Sequence, residues 1–417
     1  MSAPVPTAST AQAGPRRDRT LRNGCFMLEA LNGTATTCYG YYIFWFTERC
    51  FGFTRADNLL LGAFYGFTYM FSAAFAGRVA HRVGRFRMLQ ICFVGLTAVM
   101  LLGAAVPLVL GYSRASLWAE CALMALWTIG ASASWPTLQG LLSRESAGEH
   151  PRVVGIYNLI WAGASGLTFL CCGSLFKMNR IGTVFLLPAA IHVCQLLILP
   201  KLQRYDSSRE NRTEAAAAAG ASVPDEKARQ WAKAFVRLAW VANPFAYVAM
   251  YGFVPIFPQL ADKLHFNSAQ AAVIFSVWQL SRVGAFYLFW RWTGWHYRFR
   301  LLLAAFVAVI GCFFTILMTE NLPVLIVAQV LFGLAVGLIY YSSLYYTMDA
   351  GASESEHGGI HEAAIGFGIG AGPAVGFAAL EIWPARPDAG TWSIVAALAL
   401  GLVAFVAVRM RNPVKRG

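Results

Sequence analysis

Apolar residues along this chain fall into long runs separated by short polar connectors. Twelve runs have the length a helix needs to cross a hydrocarbon core of about 30 Å. They cover residues 25–46, 58–80, 88–110, 117–138, 153–175 and 181–199, then 235–257, 269–290, 301–318, 324–347, 360–382 and 392–408. A polar stretch over 203–234, with an alanine run at 215–219, parts the sixth run from the seventh. It reads as a linker between an N-terminal half (25–202) and a C-terminal half (235–408). The polar ends, 1–24 and 409–417, read as tails. The pattern predicts an all-α membrane protein of twelve transmembrane helices in two six-helix halves.

The halves echo each other. Phe53-Thr54-Arg55-Ala56-Asp57 leads into the second run and Phe266-Asn267-Ser268-Ala269-Gln270 into the eighth, and Thr54 and Asn267 are both placed to cap the helix that follows. Gly130 in the fourth run answers Gly333 in the tenth. Gly155-Ile156 at the fifth answers Gly359-Ile360 at the eleventh. The offsets of 213, 203 and 204 residues are nearly constant, which argues for two pseudo-symmetric halves. Carriers built this way hold their solute at the interface of the repeats, near the bilayer midplane.

Composition and charge agree with this pattern. Of 417 residues, 58% are hydrophobic and 13% charged, against about a quarter charged in soluble domains. The formal net charge of +13 suggests no nucleic-acid partner, because the basic residues sit in the connectors between apolar runs. With residues at run edges counted with their connectors, 25 of the 33 Lys and Arg fall on the side of the two tails and 7 on the other, with Arg282 alone inside a run. That bias places both termini in the cytoplasm, and the compact form suits a cell's inner (plasma) membrane. The nine cysteines form no CxxC pair and read as small core residues. The first 24 residues are polar and end in Arg16, Arg17, Arg19 and Arg22, and the run that follows is too long for the core of a cleavable signal.

Between the second and third runs the chain reads Gly77-Arg78-Val79-Ala80-His81-Arg82-Val83-Gly84-Arg85-Phe86-Arg87. This connector resembles the loop signature G-x-L-A-D-R-x-G-R-(K/R) of the major facilitator superfamily, with Gly77, Ala80, Arg82, Gly84 and Arg85 matching. Together with the number of runs and the half-repeat, the resemblance extends over residues 25–408. It implies an alternating-access transporter, a symporter or antiporter, whose conformational loop includes Gly77, Arg82, Gly84 and Arg85; the sequence does not give the oligomeric state, and a monomer is the expectation. It also implies a central cavity surrounded by the first, fourth, seventh and tenth helices. Two departures stand out. The acidic residue of the loop is His81 here, and the arginine often found in the fourth helix falls at Leu126, with Ile129-Gly130 following. In the family that acid and an arginine help to latch the halves, so the latch must differ in this chain. The second-half copy of the loop keeps little beyond Gly294.

An ionisable group inside a bilayer is costly and marks a functional candidate. Arg282 leads, with Ser276 and Gln279 on the same face of the eighth run at i, i+3, i+6 spacing. That face is suited to line the cavity and meet an anionic group of the solute. The competing reading is a structural pair of Arg282 with Glu29 or Glu362. Glu29, Asn32, Thr36 and Tyr39 form a stripe on the first run, and Asn243, Tyr247 and Tyr251 lie on the seventh. Glu29 is the proton-coupling candidate. On the family resemblance, Trp127, Ser134 and Trp135 of the fourth run and Gln329, Tyr340 and Tyr341 of the tenth are further cavity candidates. Such side chains also hold helices together without binding anything.

No metal or other cofactor is expected. His357 and His361 have i, i+4 spacing, but the two glycines between them weaken the helix a metal site would require. The eleventh run carries Gly366, Gly368, Gly370 and Gly372 before Pro373, in a spacing that suits close helix packing and fails the dinucleotide fingerprint. No phosphate-binding G-x-x-x-x-G-K-(S/T) loop is present, which argues against direct ATP drive. The expected partners are a small-molecule solute, favoured as organic by the 14% aromatic content, and the lipid bilayer. Two other classes stay open: a membrane-embedded lipid-modifying enzyme, and a non-transporting sensor with a carrier-like fold.

Overall fold

The computed structural model describes residues 19–144, 150–213, 226–349 and 354–411. The alanine run at 215–219 and the far ends of both tails lie outside them. The described residues form twelve helical passes. The first five are α1 (Arg19–Phe51), α2 (Arg55–Val83), α3 (Arg85–Leu110), α4 (Arg114–Arg144) and α5 (His150–Met178). The sixth opens on a π-turn at Gly182–Leu186 and continues as α6 (Leu187–Thr213). The seventh is α7 (Glu226–Phe253), a 3-10 turn at Val254–Ile256, and α8 (Phe257–Lys263). The eighth is α9 (Ser268–Phe275) and α10 (Val277–Arg291). Four unbroken helices complete the bundle: α11 (Phe299–Met318), α12 (Leu322–Asp349), α13 (Glu354–Ile382) and α14 (Ala389–Arg411).

Ten passes are long and apolar enough to cross a membrane by length and composition, and α1 and α4 complete the twelve. The physical reason is visible in their side chains. Glu29, Asn32 and Thr37 of α1 and Glu120, Thr128, Ser132, Ser134 and Thr137 of α4 are all buried. These helices are less apolar because they turn polar groups toward other helices, while the remaining passes expose residues such as Phe71, Leu108, Leu197 and Leu400 to the surroundings.

Both caps foreseen from the half-repeat are formed. Thr54 accepts from the Asp57 amide while the Asp57 carboxylate accepts from the Thr54 amide, and Asn267 and Gln270 make the same reciprocal box at the start of α9. Gly84, at φ 91°, makes the sharp turn from α2 into α3 and donates its amide to the Ala80 carbonyl at 3.0 Å. Arg85 then lies against Gly140 of α4. The 3-10 interruption of the seventh pass falls at Pro255, which has no amide to continue the α ladder. Apolar periodicity did not foresee it, since the break stays wholly buried.

Two seams join the halves. In the first, α2 crosses α13. A Cβ on Gly66 would collide with the Gly370 backbone, and one on Gly366 with the Met70 backbone, so the main chains touch directly. On the other side of α13, Gly368 and Gly372 approach the carbonyls of Pro244 and Val248 in α7. In the second seam, α5 meets α9 and α10, with Ser268 Oγ donating to the Gly173 carbonyl at 3.2 Å and Trp290 covering Gly155. On the membrane face opposite the termini, Arg49 Nη2 is 2.6 Å from Asp262 Oδ1, and Arg55 donates to the Pro387 carbonyl at 2.8 Å. Both contacts tie one half to the other. Within the N-terminal half, the Sγ atoms of Cys38 and Cys172 are 3.4 Å apart, a pairing their sequence positions do not suggest.

Candidate functional site

The core between the halves holds two polar clusters at different depths. The first is centred on Arg282 of α10, which is 4% exposed. Its Nη2 donates to Gln279 Oε1 at 2.6 Å, and its Nη1 meets Met250 Sδ of α7 at 3.5 Å. The Trp161 and Trp278 rings lie over the guanidinium at 4.7 and 5.2 Å. Gln279 is held on its other side, where Nε2 donates to the Tyr41 hydroxyl of α1 at 2.7 Å. A chain from the C-terminal half therefore crosses to the N-terminal half through one glutamine.

Aromatic rings surround this chain. Trp127 packs on Tyr65, Tyr65 on Tyr251, and Tyr251 on Tyr41, with centroids 6.0 to 6.5 Å apart. Tyr247 stacks on Tyr251 and meets Tyr340, which in turn packs against Trp161 at 5.5 Å. The rings come from both halves, so this packing exists only when they are together.

The second cluster lies nearer the face that carries the termini and is centred on Glu362 of α13, 4% exposed. Tyr69 of α2 donates to its Oε2 at 2.8 Å, and Gln139 of α4 to its Oε1 at 3.2 Å, both from the other half. Gln139 also reaches the Tyr157 hydroxyl at 3.0 Å. His361 stands beside Glu362, with its Nε2 3.0 Å from Ser343 Oγ and 3.4 Å from Asn243 Nδ2. Glu29 of α1 joins this region. It is 1% exposed, neither carboxylate oxygen has a hydrogen-bond partner, and it faces Tyr157 and Glu362.

The pairing of the competing reading, Arg282 with Glu29 or Glu362, is not made. No Asp or Glu among the described residues is within ion-pair distance of Arg282. Glu29 lies twelve residues before Tyr41 on α1, which is about 18 Å along a helix axis, and Tyr247 and Tyr340 stand between the two clusters, within electrostatic reach of Arg282 and Glu362 alike.

The structure packs Gln279, Arg282, Tyr247, Tyr340 and Trp127 into one aromatic region between the halves. Asn32 is buried but bonded to Ser134 of α4 at 3.1 Å, and Thr36 is half-buried. Asn243 belongs to the Glu362 cluster. Tyr341 turns away and packs on Trp295 at 5.6 Å, a contact that closes the end of α10. Ser276 uses its hydroxyl on its own helix, donating to the Val273 carbonyl at 2.8 Å. Gln329 is buried with both amide atoms unpartnered. Gly77, Arg82, Gly84 and Arg85 lie at the turn between α2 and α3, away from both clusters. Among the described residues no group of three or more His, Cys, Asp or Glu is arranged to hold a metal, and the His357 side chain lies outside them.

Sequence reasoning missed Tyr41, Tyr69, Gln139, Tyr157 and Trp161. It also missed two buried ionisable groups in the N-terminal half. Glu120 has both oxygens unpartnered, and His192 is paired with Gln195, which donates to the Leu28 carbonyl at 3.0 Å. Glu120 and His192 carried a signal, since each is an ionisable group within an apolar run.

The family profile of the Major Facilitator Superfamily matches residues 25–358. No curated protein sequence matches the chain. Among solved structures, the nucleoside transporter NupG superimposes with a TM-score of 0.64 at 12% identity, covering 93% of this chain and 99% of that one. The human organic anion transporter MFSD10 (TETRAN) gives a TM-score of 0.63 at 14% identity, covering 92% of this chain and 98% of that one. At these identities the likeness concerns the fold. With the matched profile over most of its length and twelve passes in two halves, the chain belongs to the Major Facilitator Superfamily.

Proposed function

We propose that this membrane transporter is a secondary carrier that moves one small organic solute by alternating access. The carrying observation is the joint construction of the lined region. Tyr41, Tyr65 and Trp161 from one half face Gln279, Arg282, Tyr247 and Tyr340 from the other. A site shared in this way opens to alternate sides when the halves, 25–202 and 235–408, rock about it. The structural neighbours are named as transporters of organic molecules, which supports an organic solute over a bare ion. Trp127 extends the site from the N-terminal half through Tyr65.

Glu29 is the proton-coupling residue of this reading. A buried carboxylate without a cation inside a membrane protein is costly as an anion and suits proton exchange. Glu362 faces it and ties the halves at the same depth. The bias in Lys and Arg supports cytoplasmic termini in a cell's inner membrane. A monomer suffices, since both halves of the site come from one chain.

Thermal stabilisation of the purified protein across a metabolite panel identifies binding solutes, by mass action on the folded state. Uptake of a labelled hit into liposomes then tests transport, with and without an imposed proton gradient. Saturable uptake accelerated by the gradient is expected. Binding without uptake would return the chain to the sensor reading.

A further inference from the structure

We propose that the solute is an organic anion, with a carboxylate head held by Arg282 and a flat, ring-bearing body held by the surrounding aromatics. This rests on the carrier reading and names its substrate class. The argument begins with unmatched charge. A guanidinium carries five N–H donors and keeps its proton at any relevant pH. Here one donor meets an amide oxygen, one meets a thioether sulfur, and Nε has no partner at all. Two indole faces offset part of the cost of burial. No side-chain carboxylate among the described residues does so, since none lies within ion-pair distance of Arg282 and Glu362 is engaged by Tyr69 and Gln139. A buried cation without a counter-ion destabilises a fold unless a partner arrives. Its planar fork fits a carboxylate in a bidentate pair.

The rest of the lining describes the body of the solute. The hydroxyls of Tyr41, Tyr247 and Tyr340 lie within electrostatic reach of the guanidinium. The rings of Trp161, Tyr247, Tyr251 and Tyr340 form a continuous band beside it, through edge-on, tilted and stacked contacts. Such a band offers flat apolar surfaces to a ring, with polar edges turned to the charged head. An extended aliphatic or polycationic solute would gain little from it. Gln279 positions Arg282 and hands the contact on to Tyr41 of the other half, so a bound carboxylate is felt across the interface.

The test uses the full-length protein in detergent and matched pairs of probes: benzoate, nicotinate and indole-3-acetate, each beside its primary amide, in a panel that also holds neutral and cationic solutes. Stabilisation by the acids and not by their amides is expected. Arg282→Gln should weaken acid binding by about tenfold to a hundredfold, and Arg282→Lys should recover part of it. Arg282→Met gives a readout that needs no solute. Replacing an unmatched buried charge by an apolar side chain of similar length should raise the melting temperature of the empty protein. Stabilisation by amides or cations in place of acids would overturn the anion while leaving the carrier. Acids that stabilise Arg282→Gln as well as the parent would overturn the role of Arg282. Silence across every charge class would overturn the carrier reading and this inference with it.

Discussion

The Arg282 and Glu362 clusters both lie between the halves, and each is tied across the interface by a glutamine, yet their charges are arranged in opposite ways. Around Arg282 there are N–H donors in excess and no anionic acceptor. Around Glu362 and Glu29 there are carboxylate oxygens with only neutral donors, and the nearest basic group to Glu362 is His361 at 3.9 Å. In a compact soluble core such groups would be expected to meet, because an unpaired buried charge is costly. Here the helices hold them at separate depths. On the proposed carrier reading, the separation leaves each charge to a mobile partner: a solute for the arginine and a proton for the carboxylates.

The sharpest way to break this contrast is Arg282→Gln, which removes the only cation in the deeper cluster. Uptake of the solute should fall by about tenfold to a hundredfold, measured as initial rate into liposomes at low solute concentration. Next is Glu362→Ala, which strands the Tyr69 hydroxyl and the Gln139 amide. Two hydrogen bonds to a carboxyl group contribute about 1.5–3 kcal/mol each, so the melting temperature should drop clearly while Arg282 still binds solute. Glu29→Gln is a subtler probe. Neither oxygen has a well-formed hydrogen bond to lose, with Tyr157 as the nearest donor, so stability should change by about 1 kcal/mol. Gradient-driven uptake should disappear while solute exchange across the membrane continues. The smallest effect is expected from Tyr41→Phe. It removes the acceptor for Gln279 and should weaken binding by about fivefold, corresponding to one hydrogen bond of about 1 kcal/mol. Equal effects of Glu29→Gln and Arg282→Gln on exchange would erase the distinction between the clusters.

Much of this architecture is legible in the order of residues alone. Apolar run length marks the passes, and near-constant offsets locate the two capping boxes, because both are local properties of the chain. Arg282 and Gln279 are legible because an arginine stands out in an apolar run and the helical period places Gln279 beside it. What is not legible depends on crossings. Tyr41 is one tyrosine among several in α1 and becomes notable only where Gln279 reaches it from α10. Trp161 has a polar neighbour one turn back, Asn158, but its indole N–H bonds to that side chain within α5, and nothing in the sequence shows that its ring covers the guanidinium of another helix. Gln139 and Tyr69 meet Glu362 from helices separated from it by 223 and 293 residues. Periodicity orients each helix about its own axis and carries no information on which neighbour its face will meet.

The seam of α2 and α13 has a consequence for movement. Where main chain rests on main chain, as at Gly66 and Gly370, few side-chain rotamers must change when one helix turns against the other. Interlocked side chains resist such turning and tend to settle in discrete steps. A glycine contact acts as a bearing, smooth under rotation and intolerant of any added bulk. In the proposed alternating-access cycle, resistance to the swing of one half against the other would then reside in the polar ties on either side of it, where a solute, a proton or dissolved salt could set it.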